Sequence, residues 1–530
     1  MAEFQADKPS DLGSWMRMAE SLRNAPEWET SELPVEMVQT HISVVLLSLK
    51  RALKLKKPVD FGFLDYTTPE KRRLACEAEV ALNRRLCADA YLGVQPIYDD
   101  RGMPRLSGQG PIVDYGVMMK RLPATRMLDG MIARNEVTES IIDRVAERLS
   151  TFHRGAKRGP GIDALGAPEA IRANWEENFL QCGPYIGRTV SADSFEMIRN
   201  WIDRWMKDND DLFRSRVREG RICDGHGDVR AESICVTDRL CIFDCIEFNE
   251  RFRFGDVASE VAFLAMDLDS RGRQDLSYYF AERYQSRVED PRLSILLPFY
   301  RCYRAYVRGK VMSFRLDAAE FTAQEREMAA MRAKRFFDLA RRYADKPKHK
   351  MVILIGGLSG TGKTSLARAI AGELGFSVVS SDAVRKTIFE MSEEYGYGAG
   401  PYSADANRLT YEKATEIGRG LLEKEGGVVL DATFRREADR ERARALASEA
   451  GAVFRTIECK LSHELVRERL DRRASLAEGL SDARWETYTR QQLEYEPFAE
   501  VKGEHLELDT GRDLGVISHI ATDWLRYMDG

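Results

Sequence analysis

The sequence predicts an α+β domain over residues 1–345 followed by an α/β domain with a parallel sheet over residues 350–530. Three observations predict it. A charged helical run, MRAKRFFDLARRY, stops at ADKPKHK, where Pro347 separates it from the apolar strand MVILIG. Ahead of that seam, HISVVLLSLKRALKLKK reads as two strands joined by a short turn, TPEKRRLACEAEVALNRRL as an amphipathic helix, and residues 127–206 as mostly helical. Behind it, MVILIG, FSVVSSD, GGVVLDAT, AVFRTIECK and EHLELDT are short apolar strands separated by helical stretches.

A chain of 530 residues exceeds what one hydrophobic core supports, which agrees with two domains. With 44% hydrophobic and 31% charged residues the composition is that of an ordinary globular protein, and no apolar run approaches the roughly 18 residues of a membrane span. The start, MAEFQADKPSDLGSW, lacks a basic stretch ahead of an apolar core, so a cytoplasmic location without membrane attachment is expected. Lys and Arg number 80 against 85 Asp and Glu, a net charge of −5, so no global field favours nucleic acid and only a local basic groove would admit it. A small molecule is the expected partner. Nine cysteines are scattered without the close pairs of a zinc or redox site, and all are expected as buried reduced thiols.

In chain order, the first candidate residues lie on the strand RALKLKK, where Lys54 and Lys56, two apart, share a face. The following helix carries Glu79, with Glu77 beside it. Further on, HGDVRAES sets Asp228 after His226 and Gly227, with Ser233 five residues beyond, CIFDCIEF supplies Asp244 just after an apolar stretch, and FGDVASEVAFL contains Asp256. In FYRCYRAYVRGKVMSF, Arg301, Arg304, Arg308 and Lys310 are expected on a solvated helix face, with a surface for a substrate anion as the alternative.

The order and spacing of these fragments resemble the aminoglycoside phosphotransferases and choline kinases, relatives of protein kinases. The resemblance implies a protein-kinase-like fold in which Lys54, with Lys56 on the same face, contacts nucleotide phosphates and Glu79, in preference to Glu77, is the ion-pair partner. It implies further that VMMKRLP, Val117 to Pro123, joins two lobes, that Asp228 is catalytic, that Ser233 and Asp244 hold Mg2+, and that Asp256 is structural. Position 233 departs from the family, which has Asn there. A Ser hydroxyl is still a neutral oxygen ligand, and Glu232 is a second candidate ligand. Arg230 and Glu232 also replace the small or proline-rich residues expected in the loop. The competing reading is a nucleotide-binding pseudokinase that regulates the second half.

In the second half, GLSGTGKT, Gly357 to Thr364, satisfies G-x-x-x-x-G-K-[ST] between a strand and the helix SLARAIAGEL. Glycines there let backbone N–H groups approach phosphate oxygens, and the helix turns its positive end to the same charge. Gly357, Ser359, Gly360, Thr361, Gly362, Lys363, Thr364 and Ser365 are the nucleotide-binding candidates, with Lys363 on the terminal phosphates and Thr364 on Mg2+. Downstream, SSDAVRK pairs Asp382, a candidate base, with Arg385, a candidate anion holder, although an Asp at that place also caps helices. VVLDATF ends a strand in Asp431, and RERLDRR places Arg469 and Arg473 four apart on one helical face. These segments resemble P-loop kinases of the polynucleotide kinase, gluconate kinase and chloramphenicol phosphotransferase type. The resemblance implies Asp431 as a carboxylate behind Mg2+ and the two arginines as a lid over ATP.

From about His41 to Thr510 the chain resembles bacterial two-domain proteins that fuse an aminoglycoside phosphotransferase-like domain to a P-loop kinase-type ATP-binding domain, a likeness carried also by KKPVDFGFLDYTTPEKRR and IFDCIEFNERFRF. It implies a bifunctional, ATP- and Mg2+-dependent phosphotransferase acting on hydroxyl groups of a sugar-, nucleoside- or aminoglycoside-like acceptor. A polynucleotide 5′-hydroxyl kinase, a P-loop ATPase regulated by a pseudokinase and a toxin-like sugar-nucleotide kinase are the alternatives.

Overall fold

The computed structural model describes residues 12–28, 35–62, 64–318, 321–345, 349–389, 400–476, 485–498 and 504–527. The chain divides into two compact units, Met1–Ile171 with Asp210–Glu260, and Arg172–Asn209 with Val261–Gly530.

The first unit opens with an antiparallel six-stranded sheet of β1 (Glu36–Gln39), β2 (Ser43–Leu47), β3 (Arg51–Lys56), β4 (Tyr91–Asp100), β5 (Met103–Arg105) and β6 (Ile112–Lys120), in the order β1-β2-β3-β6-β4-β5. The two strands expected around the lysines are the β2–β3 hairpin, with Val45 opposite Lys54. Alternation along β3 sends Leu53 and Leu55 into a core with Val44, Leu46 and Ile97, which leaves Lys54 and Lys56 on the opposite face. The helix Pro69–Cys87 covers that face. It starts where Thr68 accepts a hydrogen bond from the Lys71 N–H and Pro69 fills the first turn, and it is anchored by buried Arg72, 2.8 Å from Asp114 of β6. Of the segment expected to join two lobes, Val117 to Lys120 are still strand, so only Arg121 to Pro123 lie outside β6.

Short strands carry the rest of this unit's chemistry. β7 (Ile222–Asp224) and β10 (Phe254–Asp256) pair antiparallel, as do β8 (Ile234–Cys235) and β9 (Cys241–Ile242). The expectation of nine reduced thiols is corrected here. Cys87, the last residue of the helix Pro69–Cys87, is disulfide-bonded to Cys241 of β9 across 154 residues of sequence, with Cα atoms 4.7 Å apart. Their closeness comes from the helix end packing on β9, which no spacing in the sequence reveals; the other seven cysteines are free and buried.

The second unit contains the five strands read from the sequence, β11 (Met351–Gly356), β12 (Ser377–Ser380), β13 (Gly427–Asp431), β14 (Val453–Lys460) and β15 (His505–Asp509). They form one parallel sheet in the order β12-β13-β11-β14-β15. Every residue of β11 is buried, as a central parallel strand covered on both faces requires. Ile353 and Ile355 pack under the helix Lys363–Leu374 on one side, and Val352 and Leu354 pack with residues of the helices Ala404–Glu425 and Glu437–Glu449 on the other.

The helix Leu293–Phe314 also belongs to this unit and corrects the solvated-face expectation. Arg301 is 3% exposed, donates to the Gly372 carbonyl at 2.9 Å and lies 3.7 Å from Asp269. Arg304 stacks 4.5 Å over Phe263, and Lys310 donates to Asn178 and Gln181. Buried residues run the length of this helix, from Leu293 to Ser313, so cations among them find partners inside the fold. Among the described residues no helix is long and apolar enough to cross a membrane.

Candidate functional site

In the first unit both lysines of β3 converge on one carboxylate. Lys54 Nζ lies 2.9 Å from Glu79 Oε1, and Lys56 Nζ lies 2.6 Å from Glu79 Oε2. Their other partners separate them. Lys54 also bonds Asp244 at 2.7 Å and keeps 15% of its side chain exposed. Lys56 is fully enclosed, paired with Glu247 and lying under the Tyr66 ring, whose hydroxyl donates to Glu247 at 2.8 Å. The geometry therefore makes Lys54 the lysine that can meet a ligand, while Lys56 neutralises two buried carboxylates. Glu77 is exposed and paired with Arg73. Glu247 was not singled out from sequence; its only signal is an acid three residues after Asp244 in DCIEF.

Asp244 follows β9 with φ at +63°, a left-handed conformation unusual for a non-glycine residue. Lys54 beside it holds its carboxyl down at about 2, and Arg230 adds to the effect, so the HGD loop and Asp244 share one electrostatic field. Burial pulls Lys54 down, but Asp244, Glu79 and Glu247 outweigh it and hold the ammonium well above the usual lysine value.

Paired β7 and β10 fix the base of the HGD loop, and a buried glutamate holds its backbone. Glu260 accepts from the N–H groups of His226 and Gly227, and its second oxygen meets His153 Nε2 at 2.7 Å. A Cβ at residue 225 would sit 2.5 Å from the Glu260 carboxylate, and Gly227 has φ +87°, so the two glycines of DGHGD are required for different reasons. Asp256, expected as structural, pairs with Arg216 at 2.9 and 2.7 Å and accepts from the Ala258 N–H at 2.8 Å. Glu260, one helical turn further, was missed because a charged residue in a helix carries no local mark of what it faces.

Burial would push the Glu260 carboxyl up, but His153, His226 and the Gly227 amide bring it down from 4.5 to about 2. A depressed carboxylate contributes stability that is present above pH 4.5 and lost as pH falls toward 2. Glu260→Gln is expected to flatten the acid limb of urea-midpoint against pH in that window. A limb as steep as that of the wild type would contradict the assignment.

Asp228 is 22% exposed at its side chain, and both its oxygens meet Arg230, Nε at 2.8 Å and Nη2 at 2.7 Å. The remaining Arg230 Nη1 pairs with Glu232. Ser233 is 3% exposed, and its hydroxyl is turned into its own loop. It accepts from the Arg230 N–H at 3.0 Å and lies 2.9 and 3.2 Å from the carbonyls of Arg230 and Asp228.

In the second unit the glycine loop joins β11 to the helix Lys363–Leu374. Gly357, Gly360 and Gly362 have φ of +133°, +82° and +86°, and a Cβ at 357 would stand 2.5 Å from the Cys459 carbonyl. The loop is a backbone cradle that side chains would fill. Thr361 Oγ1 and Lys363 Nζ both donate to the Leu358 carbonyl, at 2.7 and 2.8 Å, the Ser359 N–H donates to Gln491 at 3.0 Å, and Ser365 sits in the first turn of the helix. Thr364 Oγ1 donates to Asp431 Oδ2 at 2.8 Å. That contact exists because β13, which ends in Asp431, is hydrogen-bonded directly to β11, with Asp431 opposite Ile355. Burial raises the Asp431 carboxyl, Lys363 and Thr364 oppose the rise, and the charge of Asp382 adds to it.

Asp382 lies in the first turn of the helix Ser381–Phe389, 38% exposed and 3.1 Å from Arg385. Arg385 is buried, donates to Asn407 at 2.8 Å and lies 4.9 Å from the Tyr402 ring centroid. A small recess lined by Val379, Ser381, Tyr411, Asp431, Phe434 and Asp439 adjoins the sheet here, and neither Asp382 nor Arg385 lines it. Arg469 reaches the glycine loop, with a Cβ at 362 falling 3.1 Å from its Nη1, and Nη2 donates to the Thr510 carbonyl at 2.7 Å. Thr510 in turn donates to the Thr361 carbonyl at 2.6 Å. Gln491 and Thr510 were missed in sequence because they act from distant segments through the loop backbone. The side chain of Arg473 lies outside the described residues.

Residues 352–498 match the family model of an AAA domain. The chain is 34% identical over 459 residues to the uncharacterized protein Rv2004c of Mycobacterium tuberculosis, covering 86% of this chain and 89% of that one, and equally to the uncharacterized protein Mb2027c of Mycobacterium bovis. Among solved structures it is similar to a choline/ethanolamine kinase family protein from Mesorhizobium loti, at 11% identity and a TM-score of 0.37 over 63% of this chain and 99% of that one. It is similar also to a gluconokinase from Sinorhizobium meliloti, at 22% identity and a TM-score of 0.27 over 34% and 94%.

Proposed function

The chain belongs to the same family as the uncharacterized protein Rv2004c of Mycobacterium tuberculosis, and from that premise we propose that it is an ATP-dependent phosphotransferase with two nucleotide sites, each acting on a hydroxyl of a small-molecule acceptor. The observation that carries the proposal is the Thr364 hydroxyl held 2.8 Å from Asp431 beneath a glycine cradle at a helix N-terminus. Such a cradle with a lysine at its rim binds a polyphosphate, and a hydroxyl backed by a carboxylate is a suitable pair for the cation that accompanies it. Among the described residues no three His, Cys, Asp or Glu converge on a metal site, so the fitting ligand set is one hydroxyl or carboxylate completed by nucleotide oxygens and water. Bound Mg2+ would neutralise phosphate charge and polarise the γ-phosphoryl group.

The chain's own residues do the remaining work. In the second unit Lys363 leaves the Leu358 carbonyl to meet phosphate, Arg469 closes over Gly362, and Asp382 takes the proton of the acceptor hydroxyl. Arg385 orients Asp382. In the first unit Lys54 contacts phosphates while Lys56 continues to neutralise Glu79, Asp244 holds the cation and Asp228 is the base.

A second reading, in which the first unit binds nucleotide without transfer and regulates the second, is favoured by the inward-turned Ser233 hydroxyl and by the Arg230 clamp on Asp228. Metabolite extract incubated with γ-labelled ATP separates the two. The wild type is expected to give labelled products of which Asp382→Ala removes one and Asp228→Ala another. If Asp228→Ala removes nothing, the chain is one enzyme with a regulatory half.

A further inference from the structure

Two departures from the family pattern, Arg230 and Ser233, are coupled in the structure. The Ser233 hydroxyl binds the loop backbone at the N–H and carbonyl of Arg230, which fixes that residue's main chain. From this fixed point the Arg230 fork lies flat on Asp228, one N–H to each carboxylate oxygen, while the third direction is spent on Glu232. Its side chain is 9% exposed, whereas Glu232 is 47% exposed. An acceptor hydroxyl that reaches Asp228 must share a carboxylate whose two oxygens Arg230 already grips, and whose basicity that grip lowers. A neutral acceptor leaves the fork on Asp228, where it opposes uptake of the hydroxyl proton, whereas an acceptor bringing its own planar or tetrahedral anion offers the fork an alternative partner of matching geometry and frees Asp228 to act as base.

We infer that Arg230 is a specificity-determining residue of the first site, and that the acceptor there carries a phosphate or carboxylate close to the hydroxyl that is phosphorylated. The inference rests on the phosphotransferase reading of that site. In the step it serves, the acceptor oxygen bonds to the γ-phosphorus and the bond from that phosphorus to the β–γ bridging oxygen breaks. ADP leaves with the electron pair, and the hydroxyl proton passes to Asp228, freed because Arg230 has moved to the acceptor's anion.

The test uses the full chain carrying Lys363→Ala, so that transfer reports the first site. Acceptors are supplied in pairs differing by one anionic group: glucose with glucose 6-phosphate, ribose with ribose 5-phosphate and glycerol with glycerol 3-phosphate, with kanamycin as a cationic polyol. The anionic member of at least one pair is expected to be labelled about tenfold faster or more than its neutral partner. That preference should collapse in Arg230→Gln, chiefly through a higher KM for the anionic acceptor. Preference for a neutral or cationic acceptor, or a preference unchanged in Arg230→Gln, overturns the inference. Absence of transfer to every probe while a fluorescent ATP analogue still binds, in a manner sensitive to Asp244→Asn, also overturns it. Loss of nucleotide binding itself would instead overturn the phosphotransferase reading of the site.

Discussion

Lys363→Ala is expected to lower nucleotide turnover in the second unit by about 10²- to 10³-fold, measured by ADP release from a full chain that also carries Asp228→Ala. The size follows from where the ammonium sits. Its Nζ donates to the Leu358 carbonyl, inside the glycine loop, so it is already within reach of any phosphate the loop's N–H groups bind. Removing it subtracts a full charge from a partly enclosed site, where an electrostatic contact is worth more than in water. The fold should survive, because the sheet beneath is built from β11, β13 and apolar helix residues that do not include Lys363. Asp431 supplies an internal check. Lys363 is the first of the influences that oppose the rise of its carboxyl, so the variant should bind Mg-nucleotide with a pH dependence displaced upward. Turnover that persisted near the wild-type rate would dismiss the glycine loop as the catalytic cradle.

Asp256→Ala is expected to destabilise the first unit by about 3–5 kcal/mol, the cost of leaving a buried charge without its partner. Arg216 is 0% exposed and Asp256 4% exposed, and two hydrogen bonds join them in a fork. Asp256 also caps the start of the helix Val257–Ser270 through the Ala258 N–H, so truncation removes a cap together with a counter-ion. Arg216→Met with Asp256→Ala should recover much of the loss, since it removes the stranded cation. Urea unfolding followed by a probe in the first unit measures both, and a single variant no worse than the double would contradict the account. Because Glu260 lies one turn beyond Asp256 and holds the amides of His226 and Gly227, the single variant should also loosen the HGD loop, seen as faster amide exchange at those residues.

How much of each site could be read in advance follows from where its parts come from. The glycine loop was legible because its working groups are backbone N–H groups and contiguous side chains, and the β–loop–α context is local. Asp431 was legible as the end of an apolar strand. In the first unit, the period of β3 placed both lysines on one face. It could not say that Lys56 would be sealed under Tyr66 and Glu247, which come from segments later in the chain. Ser233 was readable as a missing Asn, but the direction of its hydroxyl depends on the turn made by residues 228–233.

By itself, the sequence determined the class of each half, all five parallel strands, the glycine cradle and the acidic and basic residues among which the chemistry must be sought, because these depend on periods and spacings within a few turns of chain. Only the tertiary structure decided that Glu260 grips the HGD loop, that Arg230 covers Asp228, that Arg301 is buried and that Cys87 meets Cys241. A charge or thiol takes its role from the dielectric and the partner it meets after packing, and those partners arrive from segments too far along the chain for any local pattern to announce them.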